Sequence, residues 1–140
     1  PKTLIGAMTR IHQYSMLCAS IVSQEAALEA LRNGKEPMIE MREEYRQRRN
    51  FMVNALNNMG LDCHLPRGSF YAFPSVQSTN LDSKTFATGL LESENVAAVP
   101  GCAFGNCGEG FLRCCFATSF EQIEQAIERM ARFVVNTKKG

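Results

Sequence analysis

The tightest constraint on the fold lies between residues 96 and 117, where two short apolar runs flank a loop containing Gly101, Gly105, Gly108 and Gly110. Val96–Val99 is wholly apolar and runs into Pro100-Gly101, and Phe111–Ala117 is apolar except for Arg113. Runs this short have the length of buried strands rather than helices. Proline and repeated glycine between them exclude one continuous helix. The flanks change period. Asp82 is placed to cap a short helix with Phe86, Leu90 and Leu91 on one face. Ser119 with Gln122 three residues on is a capping box, and Ile123, Ala126, Ile127, Met130, Phe133 and Val134 follow at helical spacing.

Upstream, Leu61–Leu65 and Ser69–Phe73 read as two more strands joined by a Pro66-Arg67-Gly68 turn. A long helix is expected from Pro37, with Met38, Met41, Tyr45, Met52, Leu56 and Met59 as its apolar stripe and Gly60 at its end. Its mixed-charge segment, Arg42 to Arg49, reads as a solvated face of Glu–Arg pairs. Another helix is expected from Ser20 to Arg32, with Ile21, Ala27, Leu28 and Leu31 inward and Gly34 as its stop. Strands alternating with covering helices give a small α/β domain, two-layered and α+β-like. Residues 36–140 form that unit. Residues 1–35 fit it poorly, because the apolar stretch Ile11–Val22, which includes Tyr14, Met16 and Leu17, has no partner element there.

Fifteen basic against fourteen acidic residues leave a formal charge of +1. That balance argues against a phosphate-contacting nucleic-acid binder. No apolar run approaches the roughly 20 residues of a membrane span. Nothing at the N-terminus has the build of a signal peptide, and the absence of an initiator Met suggests a start inside a longer chain. The cysteines at 18, 63, 102, 107, 114 and 115 make no C-x-x-C pair and only two His accompany them, so no metal site is expected. Reduced cysteines packed as small hydrophobes suit a cytoplasmic protein.

Arg113 carries the most chemical information. A guanidinium in an apolar strand is costly to bury unless an anion meets it, and its planar fork matches a carboxylate in two parallel hydrogen bonds. From the strand alone, the default partner is an internal Asp or Glu. The glycine loop is neither a P-loop nor a dinucleotide fingerprint, because no Gly-Lys-Ser/Thr follows and the loop leads into a strand. Backbone shape is the better account of its glycines. Phe70 and Tyr71 are candidates for a cleft wall, against the plainer alternative of half-buried core aromatics.

Taken in order, Pro66-x-Gly68-x-Phe70-Tyr71, then Val96-x-x-x-Pro100-Gly101-x-x-Phe104-Gly105, then Phe111-x-Arg113-x-x-Phe116-Ala117 resembles the C-terminal small domain of the class I/II aminotransferases, which are pyridoxal-phosphate enzymes of fold type I that include aspartate-type enzymes. Ile11-His12-Gln13-Tyr14 and Ser23-Gln24-Glu25-Ala26-Ala27 resemble the stretch after that family's cofactor-binding lysine. The resemblance implies that residues 1–35 are the tail of the large cofactor-binding domain. It implies that Arg113 grips the α-carboxylate of an amino-acid substrate, whose amino group passes to a 2-oxo acid. Phe70 and Tyr71 would pack beside the cleft. Tyr14 is a weaker candidate, from a segment that in some relatives reaches the partner subunit's site, and a homodimer is implied.

The family's lysine context, Ser-x-Ser-Lys, is not found at Lys2, Lys35, Lys84, Lys138 or Lys139. Ser83-Lys84 is only an echo, in the first turn of a predicted helix. No catalytic or cofactor-binding residue is therefore expected in this chain, which should be inactive alone. Aromatic, aspartate, alanine and lyase-type activities all stay open. Two other readings compete: a free-standing regulatory or interaction domain that takes a small ligand at its glycine loop, and, more remotely, a cysteine-based metal or redox protein.

Overall fold

Capping side chains and apolar periodicity account for most of the helices in the computed structural model, which describes residues 1–16 and 18–138. In chain order the elements are α1 (Lys2–Ser15), α2 (Ile21–Asn33), α3 (Lys35–Asn58), β1 (Tyr71–Ala72), α4 (Ser83–Glu94), β2 (Val99–Pro100), β3 (Leu112–Cys115) and α5 (Phe120–Thr137). Two compact units divide the chain, Pro1–Met41 and Arg42–Gly140.

The first unit holds α1, α2 and the start of α3. Ser20 Oγ caps α2 by accepting from the Ser23 N–H at 3.2 Å, and Gly34 ends it as expected. Helix α1 was not legible from the sequence, and no side chain caps its start. None of the described side chains of α1 or α2 is buried. Ile21, Ala27, Leu28 and Leu31, expected to face inward, are exposed instead, Leu31 at 87%. Among the described residues of this unit there is no strand, and so no sheet for an apolar helix face to close on. Leu17 lies outside the described residues, as does Lys139 at the other end.

The second unit has the two layers expected. Strands β1 and β2 both pair antiparallel with β3, giving the order β1-β3-β2, with Tyr71 opposite Cys115, Ala72 opposite Cys114 and Val99 opposite Arg113. Side chains alternate across a sheet. Ala72, Leu112 and Cys114 therefore enter the core, while Tyr71, Arg113 and Cys115 take the other face. Helices α3, α4 and α5 cover the core face with Leu56, Phe86, Leu90, Ile123 and Val134, none more than 1% exposed. Each such side chain contributes about 1.5–3 kcal/mol by leaving water. Phe86 also meets Phe133 edge-on at 5.0 Å.

Helix α3 starts two residues before Pro37. Its stripe splits at the unit boundary, with Met38 and Met41 exposed and Met52 and Leu56 buried. The Arg42–Arg49 face carries the pairs Arg46–Glu43 and Arg48–Glu44. Leu91, expected inward on α4, is exposed. The Ser119 box is half built. Ser119 Oγ accepts from Gln122 N–H, whereas the Gln122 side chain turns to the Thr118 hydroxyl.

The strands are shorter than the apolar runs. Leu61–Leu65 forms none, because the Asn57 side chain takes the place of a partner strand. Its Oδ1 accepts from Cys63 N–H at 2.9 Å and its Nδ2 donates to Cys63 O at 3.1 Å. The Pro66–Gly68 turn thus joins no hairpin, and β1 pairs with β3 instead. At the second apolar run only Val99 and Pro100 pair, since Asn95 turns left-handed (φ 55°) to end α4 and the chain re-enters the sheet four residues later. At the third, pairing narrows to residues 112–115, with Phe111 in one isolated bridge to Ser75.

Candidate functional site

Arg113 is placed by β3, and the strands on either side of it supply its neighbours. Tyr71 faces Cys115 in register, so on the shared face it is the diagonal neighbour of Arg113. Its ring centroid lies 4.4 Å from the guanidinium carbon. From the opposite edge, the loop after β2 brings Phe104, whose centroid lies 4.8 Å from the same carbon. Both distances are inside the ~6 Å reach of a cation–π contact. Arg113 is half-buried, and Cys115 beyond it is exposed. The strand is therefore not apolar on both faces, as its composition suggested. Among the described residues no hydrogen bond or ion pair engages the guanidinium, so the internal Asp or Glu that was the default partner is not what it meets.

Phe104 owes its position to the glycine loop. A 3₁₀ turn over Gly101–Phe104 is followed by Gly105 at φ 106°, a conformation only glycine adopts freely. The two sides of the loop touch backbone to backbone. A Cβ on Gly101 would lie 1.9 Å from Gly108 O, and one on Gly108 would lie 2.1 Å from Gly101 O. The glycines thus serve shape, as the sequence reading held. Glu109 then ties the loop to α4: its Oε1 accepts from Ser83 N–H at 2.8 Å and from Gly110 N–H at 2.9 Å, and its Oε2 from the Ser83 hydroxyl at 3.0 Å. Ser83 Oγ in turn accepts from Cys102 N–H at 3.4 Å. Those donors, the Ser83 N–H foremost, hold the Glu109 carboxyl below the usual carboxylate range.

Of the residues singled out from sequence, the structure gathers Arg113, Tyr71 and Phe70. Phe70 packs on Tyr71 with ring centroids 4.5 Å apart and is 42% exposed. Tyr14 stands on α1 in the first unit, 93% exposed. Sequence reasoning gave no role to Phe104, Glu109 or Ser83. A large aromatic in a glycine-rich loop was the available signal for Phe104. Among the described residues no three His, Cys, Asp or Glu stand together as metal ligands, and no helix is long and apolar enough to cross a membrane. Cys63 and Cys114 pack as small hydrophobes, but Cys18, Cys102, Cys107 and Cys115 are exposed, contrary to the packed set expected.

The family model described as "Aminotransferase class I and II" matches residues 1–130. The chain belongs to the class I and II aminotransferases. Among aminotransferases of this family, it is 52% identical over 137 residues to the Bacillus subtilis (strain 168) protein YugH, whose own description as an aminotransferase is provisional. That match covers 98% of this chain and 36% of YugH. It is 40% identical to the crystal structure of the aromatic aminotransferase from Pyrococcus horikoshii OT3, with a TM-score of 0.89, covering 99% of this chain and 37% of that one. It is 37% identical to Thermus thermophilus aspartate aminotransferase with maleate, with a TM-score of 0.81, covering 94% of this chain and 35% of that one. The chain thus spans a little over a third of the length of these aminotransferases.

Proposed function

We propose that this chain is the carboxylate-recognition portion of a pyridoxal-phosphate-dependent aminotransferase, and that Arg113 binds the α-carboxylate of the amino-acid and 2-oxo-acid substrates. One observation carries the reading. Arg113 is a half-buried cation, flanked by rings on two sides, whose N–H donors have no partner among the described residues. A cation–π contact engages the charge but none of the five donors. Those donors form the fork that takes a carboxylate in two parallel bonds. Substrate held this way has its α-carbon fixed for proton removal.

The cofactor is a separate matter, because the described residues of this chain offer no cradle for it. A lysine that must act as a free amine needs desolvation or a neighbouring cation. Lys2, Lys35, Lys84 and Lys138 are all exposed, and Lys84 stands on the outer face of α4 beside Thr88 and Glu92. The reading therefore assigns the lysine and the phosphate ligands to a large domain outside this chain. It takes Pro1 to about Lys35 as that domain's tail, the remainder as the small domain, and the chain alone as inactive. A cytoplasmic homodimer follows from the same family likeness, and Tyr14 and Phe70 remain accessory candidates.

Arg113→Lys in the full-length protein tests the proposal, since it keeps the charge and loses the fork. Breaking a charge-assisted pair in a closed site costs about 2–5 kcal/mol, so kcat/KM should fall about 30-fold or more. Cofactor absorbance without substrate should stay unchanged. Turnover at the parental level in a normally folded Arg113→Lys protein would refute the assignment.

A further inference from the structure

We propose that Phe104 and Tyr71 are positioning residues, which hold the Arg113 guanidinium in the orientation that receives a carboxylate. The inference rests on the function proposed above and deepens it. Strand order makes the arrangement possible: β1 and β2 lie on opposite edges of β3, so a ring from each side can reach the same side chain. Tyr71 does so from β1 at 4.4 Å and Phe104 from the loop after β2 at 4.8 Å.

An arginine side chain has many rotamers, and in water its fork points in no fixed direction. Here no hydrogen bond or ion pair among the described residues fixes it, so the two rings are what does. Phe104 is itself held from behind. Its ring meets Phe73 edge-on at 6.1 Å, and Phe73 stacks on Phe111 at 5.7 Å with an interplanar angle of 21°. Phe104 is nonetheless 52% exposed. A half-exposed phenylalanine gains little as core, whereas its contact with the cation is direct. The glycine crossing and the Glu109–Ser83 contact set the loop that carries it, so the orientation of Arg113 depends on residues that never touch substrate. Such preorganisation strengthens carboxylate binding by removing the ordering cost at the moment of contact.

The test uses the full-length protein and butanoate, a carboxylate without an amino group. Phe104→Leu and Tyr71→Leu should each raise the inhibition constant of butanoate and the KM for amino acid about 3- to 30-fold, the range of a cation–π contact. The effect on kcat should be smaller. Phe104→Tyr, which keeps the ring, should retain most of the affinity. In an Arg113→Lys background the Phe104→Leu effect should shrink to about 2-fold or less, because the side chain it orients is gone. An equal loss in both backgrounds overturns the proposal and makes Phe104 a support of the loop alone. An unchanged inhibition constant in both leucine variants also overturns it, while a crippling Arg113→Lys would leave the carboxylate assignment standing. If Arg113→Lys itself leaves butanoate binding unchanged, both readings fall. Should Phe104→Leu not fold, Phe104→Met keeps the bulk without the π face and is judged by the same criteria.

Discussion

The crossing of Gly101 and Gly108 makes a demand that one methyl group can test. In Gly108→Ala the new Cβ would sit 2.1 Å from Gly101 O and 2.7 Å from Gly101 C, where a real Cβ essentially never comes within 3.0 Å. The backbones must therefore part by about 0.9 Å, and both contacts are main chain, so no side chain can swing aside to relieve them. Gly101 N–H donates to Phe111 O at 2.9 Å, a bond that does not survive a displacement of that size. Losing it leaves a buried donor at a cost of about 1–3 kcal/mol, and residual overpacking adds about 1–3 kcal/mol. We expect Gly108→Ala and Gly101→Ala each to destabilise by about 2–6 kcal/mol, the sum of those two costs, read as a lowered denaturant midpoint at unchanged slope. Because both insert a methyl into the same gap, the double variant should cost clearly less than the sum of the singles. The displaced loop carries Phe104 away from Arg113, so affinity for carboxylates should drop as well. A Gly108→Ala protein within about 0.5 kcal/mol of the parent, or strictly additive singles, would refute the backbone-crossing account.

The Glu109 tie predicts a pH signature. Its carboxyl titrates below the ordinary 4.5, chiefly because Ser83 N–H, Gly110 N–H and the Ser83 hydroxyl bond its charged form. A depressed carboxyl stabilises the fold above its unfolded value, and that contribution is lost as pH falls through the folded value. Parental stability should therefore decline as pH drops below about 4.5, and Glu109→Gln should flatten that decline in part, leaving the contributions of Asp82, whose carboxyl is lowered chiefly by Thr85, and of Glu43, lowered chiefly by Arg46. A Glu109→Gln curve parallel to the parent between pH 5 and 3 would contradict the tie. The cysteines offer a second measurement. Burial pushes the Cys114 thiol up to about 12, with Cys63 and Cys115 nearby adding to the effect, so Cys114 should resist alkylation in folded protein while Cys102 and Cys107 react. Early modification of Cys114 without unfolding would count against the packing described.

Local signals carried the sequence reading where the physics is local. Ser20, Asp82 and Ser119 each accept a backbone N–H at the start of the helix expected there. Of the stripe on α5, Ile123, Met130 and Val134 are buried, and Ala126, Ile127 and Phe133 pack against the core partly buried. The failures are non-local. Leu61–Leu65 has strand composition, yet both backbone hydrogen bonds of its central Cys63 go to a side chain on α3, a partner that no period in the segment reveals. The inward face assigned to α2 needed a second layer, which the described residues of the first unit do not supply. Helix α1 has neither a capping side chain nor a buried residue to mark its face.

Arg113 shows where the two kinds of information meet. Composition shows a cation in an apolar run, but not which face of β3 it takes or what meets it there. The antiparallel register answers it by setting Tyr71, 42 positions back in the sequence, diagonal to Arg113 on the outward face. The glycine crossing answers it again from the other edge, by turning the loop tightly enough for Phe104 to reach the guanidinium. A carboxylate in the same place would have neutralised the charge and occupied the fork. Two rings stabilise the charge and leave the hydrogen-bonding edge open. The difference has a chemical consequence: a structural ion pair finishes with its arginine satisfied, whereas a ring-flanked arginine keeps its N–H donors free for an anion.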